Sequence, residues 1–175
     1  MSMPDFVAAV EAIIEEHLNN IHTAVPAKIT SIDTKKGLVS VKPLAQLKIN
    51  EKVYEYPVIN DVPLVMPSNS TLGIEVAVPI AVNDNVLLIF SEQALDYWRG
   101  TGTDNTEIKY GLSNAIAIPG LMGAMTDTAK RATEEKAIII KSENNEIMLS
   151  KRNIAIRGEI NVVGTLFING KQIEP

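Results

Sequence analysis

Residues 157–175 read RGEINVVGTLFINGKQIEP and place glycine at Gly158, Gly164 and Gly170, six positions apart. From 154 to 170 the even positions are Ile154, Ile156, Gly158, Ile160, Val162, Gly164, Leu166, Ile168 and Gly170, all apolar or glycine, while Glu159, Asn161, Thr165 and Asn169 stand among the odd ones. A period of two is that of a β-strand, and a glycine at every sixth residue supplies a bend, because it lacks the Cβ that a corner would crowd. Six-residue repeats of this kind are a mark of β-helical stacking.

The length of the repeat decides how it is used. A triangular β-helix built by one chain spends roughly 18 residues per turn and needs about three stacked repeats to be stable. Residues 154–170 make barely one turn. A lone chain would leave Ile160, Val162, Leu166 and Ile168 half exposed, forfeiting roughly 1.5–3 kcal/mol of burial at each. Three copies winding about a common axis remove that loss. The pattern therefore predicts a homotrimer, with Ile154, Ile156, Ile160, Val162, Leu166 and Ile168 as its axial core and Gly158, Gly164 and Gly170 as prism corners. An ordinary β-hairpin with glycine bulges is the competing reading of the same residues.

Upstream, AIIIKS (137–142), EIMLS (146–150) and NIAIRG (153–158) are short strands separated by turn-like ENN and SKRN, so the needle is expected over 137–175. MTDTAKRATEEK (125–136) is polar and reads as a linker. Period two also governs residues 25–124. AKITSID and GLVSVKPL form the arms of a hairpin around DTKKG, where Asp33 and Gly37 carry the turn chemistry. EKVYEYPVI reads as a further strand, and GIEVAVPI (73–80) is expected to pair with NVLLIFS (85–91) across Asn83-Asp84-Asn85. Prolines at 26, 43, 57, 63, 67 and 79 keep these strands short, which favours a small closed barrel over a layered α/β sheet. Trp98, next to Asp96, is expected to hold the barrel and the following loop together as a lid on the barrel end.

Before the barrel, residues 1–24 hold a helix. Phe6, Val10, Ile13, Ile14, His17 and Ile21 recur at spacings of three and four, and Pro4 and Asp5 suit a first turn. The stripe suits either its own domain or a neighbouring chain; Phe6, Val10, Ile13 and Ile14 are its expected contact residues, because a barrel already has its own core.

Composition narrows the function. No run approaches the roughly 18 apolar residues that cross a bilayer, and the start has no basic leader or small-residue cleavage site, so export through a signal peptide is not expected. The absence of cysteine excludes disulfides and thiolate chemistry. A formal net charge of −5 and 5% aromatic residues argue against a nucleic-acid partner, although an oligonucleotide- or oligosaccharide-binding barrel remains the alternative function. Glu134 and Glu135 are adjacent residues pointing apart with no pocket, so no enzyme is expected. GTGTDN (100–105) lacks the lysine of a phosphate loop, and His17 with Glu16 and Glu11 reads as a solvated helix face; no catalytic, cofactor or metal residue is assigned.

The order of parts then carries a resemblance. VPIAVNDNVLLIFSEQALDYW (78–98) and GLSNAIAIPGL (111–121), between an N-terminal helix and a tapering β segment, resemble the Gp138-type membrane-puncturing spikes of contractile phage tails, which are similar to the wider baseplate protein V spikes of contractile injection systems. The resemblance covers nearly the whole chain from about Val25. It implies a mainly β chain with an N-terminal helix, an OB-fold-like barrel and an intertwined trimeric β-helix. It further implies a structural central spike, made in the host cytoplasm and carried at the distal end of the tail on the virion, which is joined to hub and tube baseplate proteins and transiently meets the host envelope. Such spikes often end in an iron held by an H-x-H pair from each subunit. His17 and His22 lie near the other end of this chain, so no ligand is carried over and a separate tip-capping protein is expected.

Overall fold

A computed structural model describes residues 3–19, 21–49, 52–102 and 109–173. The chain is mainly β and divides into two compact units, residues 1–121 and 122–175.

The first unit opens with helix α1 (Met3–Asn19) and continues into strands β1 (Ala24–Asp33) and β2 (Leu38–Pro43). The hairpin between these strands forms where the turn chemistry placed it. One Asp33 carboxylate oxygen accepts from the backbone N–H of Lys35 and of Lys36, at 3.0 and 3.1 Å, and Gly37 takes a left-handed φ of 69°. A small hairpin follows, β3 (Gln46–Ile49) with β4 (Lys52–Glu55), then β5 (Ile59–Pro63). Two-residue strands β6 (Ser68–Asn69) and β7 (Ile74–Glu75) pair with each other before β8 (Asn85–Phe90), helix α2 (Leu95–Arg99), a single 3-10 turn at Leu112–Asn114 and β9 (Ala115–Pro119).

Five of these strands make one antiparallel sheet in the order β5-β2-β1-β8-β9, curled into a half-barrel. Two irregularities help it curl. Thr30 is the extra residue between the pairs Ile29–Val41 and Ser31–Ser40, and β5 carries another beside Asp61, whose φ is 56°. A parallel bridge from Leu64 to Ala117 joins the sheet's two edges, and the Val65 N–H donates to the Ala117 carbonyl at 3.0 Å. The enclosed core is aliphatic: Ile29, Val39, Val41, Val62, Val86 and Leu88 are fully buried. Each contributes roughly 1.5–3 kcal/mol.

Two sequence expectations fail in this unit. GIEVAVPI does not pair with β8, whose partners are β1 and β9; only Ile74 and Glu75 enter a strand, against β6. The turn at Asn83 does form, with φ 77°: an Asp84 carboxylate oxygen accepts from the Ala81 N–H at 2.7 Å within it, and the Asn83 N–H donates to the Ile29 carbonyl of β1. Trp98 is not a lid either. Its side chain is 72% exposed, and α2 is tied to the barrel by its neighbour Arg99, whose guanidinium donates to the Asp61 carbonyl at 3.1 Å.

The second unit begins with a helix where a linker was expected. α3 (Asp127–Glu135) is started by Thr126, whose hydroxyl accepts from the Ala129 N–H, by Asp127 in the first turn and by an Arg131–Glu135 pair one turn apart. Strands β10 (Ile138–Ser142), β11 (Asn145–Leu149) and β12 (Ile154–Arg157) then form an antiparallel sheet in that order. β13 (Leu166–Ile168) and β14 (Lys171–Ile173) form a separate hairpin.

Candidate functional site

The β10-β11-β12 sheet sorts its side chains by chemistry. Its register aligns Ile138, Leu149 and Ile154 in one cross-strand row and Ile140, Ile147 and Ile156 in the next. Both rows lie on one face, because residues two apart along a strand share a side. All six are exposed, from 39% at Ile147 and Leu149 to 69% at Ile154. The result is an open aliphatic face three strands wide.

The opposite face holds the polar row Lys141, Glu146 and Arg157. Glu146 is buried there, and its two carboxylate oxygens are taken by Arg131 of α3 and by Arg157, the latter at 2.7 Å. The Arg131 hydrogen bond is the main cause of a Glu146 pKa held below the ordinary carboxylate value; burial opposes it, and the charges of Arg131, Arg157 and Lys141 add to it. The clamp fixes α3 to one side of the sheet and so commits the aliphatic side to whatever lies outside the unit. Sequence reading missed this role, since Arg131, Glu146 and Arg157 are brought together only by the fold.

Of the expected axial residues, Ile154 and Ile156 sit on that face, joined by four that were not singled out: Ile138, Ile140, Ile147 and Leu149. Ile160 and Val162 lie in a segment belonging to no strand, and Leu166 and Ile168 are on β13; all four are exposed. The glycines do require glycine geometry, with φ of 120° at Gly158, 124° at Gly164 and 77° at Gly170. A Cβ at Gly158 would also collide with the side-chain oxygen of Asn145. Gly170 is not a prism corner here: with Asn169, φ 51°, it closes the β13–β14 hairpin, because Asn-Gly is the strongest two-residue hairpin turn.

In the first unit, Phe6, Val10, Ile13 and Ile14 are exposed on α1, and from Met3 to Leu18 only Ala9 is partly covered. Asp96 holds the loop that follows it through its main chain, its carbonyl accepting from the Thr101 N–H at 2.9 Å. The later residues of GTGTDN, 103–105, lie outside the described residues, as do Glu174 and Pro175. His22 packs edge-on against Tyr56 and at a tilt against Phe90, and burial lowers its pKa. Among the described residues no group of His, Asp and Glu is placed to hold a metal ion, and no helix is long and apolar enough to cross a membrane.

The half-barrel is also where the chain meets a known family. The model of the phage protein Gp138 N-terminal domain matches residues 25–120, more than half of the 175. The chain belongs to the Gp138 family. Its matched segment coincides with the half-barrel, from β1 to just past β9. Membership makes it a bacteriophage protein with a structural, baseplate-type role and a component of the virion. No curated protein matches the chain.

Proposed function

We propose that this Gp138-family protein is the homotrimeric central spike of a contractile tail, placed at the distal end of the tail tube and driven through the host envelope when the sheath contracts. The open aliphatic face of β10, β11 and β12 is the observation that carries the reading. Covering six side chains that are each about half exposed returns roughly 5–9 kcal/mol per chain. Three such faces meeting at an axis would cover one another, and residues 159–165, outside any strand of their own chain, would supply backbone for pairing between copies. The product is a stiff intertwined β-prism, suited to transmitting force.

The barrel serves as the adaptor between needle and tube. Its five-stranded order, closed by the parallel bridge from Leu64 to β9, supports reading the half-barrel as OB-fold-like. The stripe of Phe6, Val10, Ile13 and Ile14 on α1 is the contact with a hub or tube protein. A separate protein caps the tip, because an open β-helix end exposes unpaired backbone. The role is mechanical, without catalysis or cofactor. Electron microscopy of tails carrying a tagged chain tests it: three tags on the tail axis at the distal end support the spike, and tags on the sheath or on peripheral fibres overturn it. Deleting residues 1–22 should leave a trimer that no longer joins the baseplate, and normal assembly would refute the hub contact.

A further inference from the structure

The connection between β5 and β8 has a composition that its own unit does not use. Leu72, Ile74, Val76 and Val78 recur at alternate positions and, with Val82, are all exposed, at 50% or more. Between Ser68 and Val82 the only charge is Glu75. The connection projects as a short hairpin, β6 with β7, whose turn is held by Asn69: its side-chain oxygen accepts from the Leu72 N–H at 3.1 Å. Leu72, in the turn, and Ile74, on β7 beside it, therefore present an apolar hairpin tip.

At the foot of the same connection lies an open groove of about 380 Å³, lined by Val65, Met66, Pro67, Val78, the last two residues of β9, Ile118 and Pro119, and Gly120 after them. An apolar cavity of about 150 Å³ already holds a benzene-sized group. The groove thus has room for two aliphatic side chains. Neither Leu72 nor Ile74 lines it.

A knob and a groove on different patches of one chain are complementary between copies in a head-to-tail sense, and head-to-tail contacts close into a ring when the rotation between copies closes, as a threefold does. Nearly chargeless apolar surface on both sides is the composition of the centre of a lasting interface rather than of a solvated loop. We propose that the hairpin tip of each copy, Leu72 with Ile74, seats in the groove between Val65 and Val78 of the next copy, so that the barrels form a closed ring. This rests on the threefold reading above. The connection would then act as a collar, adding a barrel-to-barrel contact to the closure made by the C-terminal sheets.

The chain contains no cysteine, so introduced thiols report without background. The full-length double variant Leu72→Cys/Val65→Cys is treated with a short bis-maleimide and run on a denaturing gel, beside each single variant, while light scattering gives the mass of the same untreated samples. Both positions are exposed, which keeps the fold intact. The expected result is a covalent trimer from the double variant and single chains from either single variant. A sample that scatters as a trimer but runs as single chains after treatment overturns the collar alone. So does cross-linking of Leu72→Cys by itself as efficient as that of the pair, which would mean that tips meet tips. A mass of one chain before treatment removes the threefold reading and the collar with it.

Discussion

The two units solve the burial problem in opposite ways. The half-barrel folds its aliphatic residues inward, with Ile29, Val41, Val86 and Leu88 fully buried. In the C-terminal unit the one buried residue among the described residues is a carboxylate, Glu146, while six aliphatic side chains face out. A unit with that distribution is inside-out as a monomer. The barrel covers its own aliphatic core, and the C-terminal sheet leaves its aliphatic face open, the face that the proposed trimer would complete.

Matched substitutions should break this contrast most visibly. Ile147→Asp places a carboxylate in the middle of the aliphatic face, where closure by other copies would bury it unpaired. The mass in solution should fall from three chains to one, with the barrel still folded. Leu88→Ala, in the barrel core, should instead cost about 2–5 kcal/mol of barrel stability, visible as a lowered melting temperature, and leave the needle assembled. If both changes dissolve the assembly, or both merely lower the melting temperature, the units do not differ as described.

Glycine substitutions sharpen the contrast at the next level. Gly158→Ala should destabilise the C-terminal unit by about 1–3 kcal/mol or more, since φ is 120° and the new methyl meets Asn145. Gly123→Ala is the proper control: φ there is ordinary and nothing lies within 4 Å, so the change should stay within about 0.5 kcal/mol. Gly102 would mislead as a control, because its Cβ would sit 2.7 Å from that of Asp96. Equal effects at 158 and 123 would remove the case for a glycine-dependent bend.

Acid should act on the second unit through Glu146. The folded Glu146 carboxyl titrates below its unfolded counterpart, so its contribution is complete above the ordinary carboxylate range and is lost as pH falls through the lowered value. Melting of the C-terminal unit, followed against pH, should show this acid-side loss, and Glu146→Gln should lower the melting temperature near neutrality while flattening the acid slope. An unchanged slope in that variant would mean that other carboxylates govern it. The smallest effect is expected at Trp98→Ala, within about 0.5 kcal/mol, since the ring is exposed. A clear loss there would show that another chain covers it.

How much of this was legible beforehand depended on the distance over which each feature is decided. The Asp33–Gly37 hairpin was readable because one carboxylate and one glycine settle it within five residues. Ile154 and Ile156 were readable as strand residues because alternation declares an apolar face whether or not it is covered, whereas Ile138, Ile140, Ile147 and Leu149 share that face only through strand register. α3 was missed because 125–136 shows no apolar stripe; what anchors it is Arg131 reaching Glu146, fifteen residues on. The same limit misdirected GIEVAVPI, whose alternation is that of a strand although its apolar side has no partner strand in β8. Gly170 fell in step with a six-residue period, yet Asn169 beside it makes a local hairpin turn, and the local chemistry prevailed.

The claim on which the rest depends is that the aliphatic face of β10, β11 and β12 is completed by two further copies of the chain. Light scattering of the purified full-length protein at low micromolar concentration reads this directly. The account predicts a mass near three times 19.0 kDa that persists on dilution. A folded species with the mass of a single chain would contradict it.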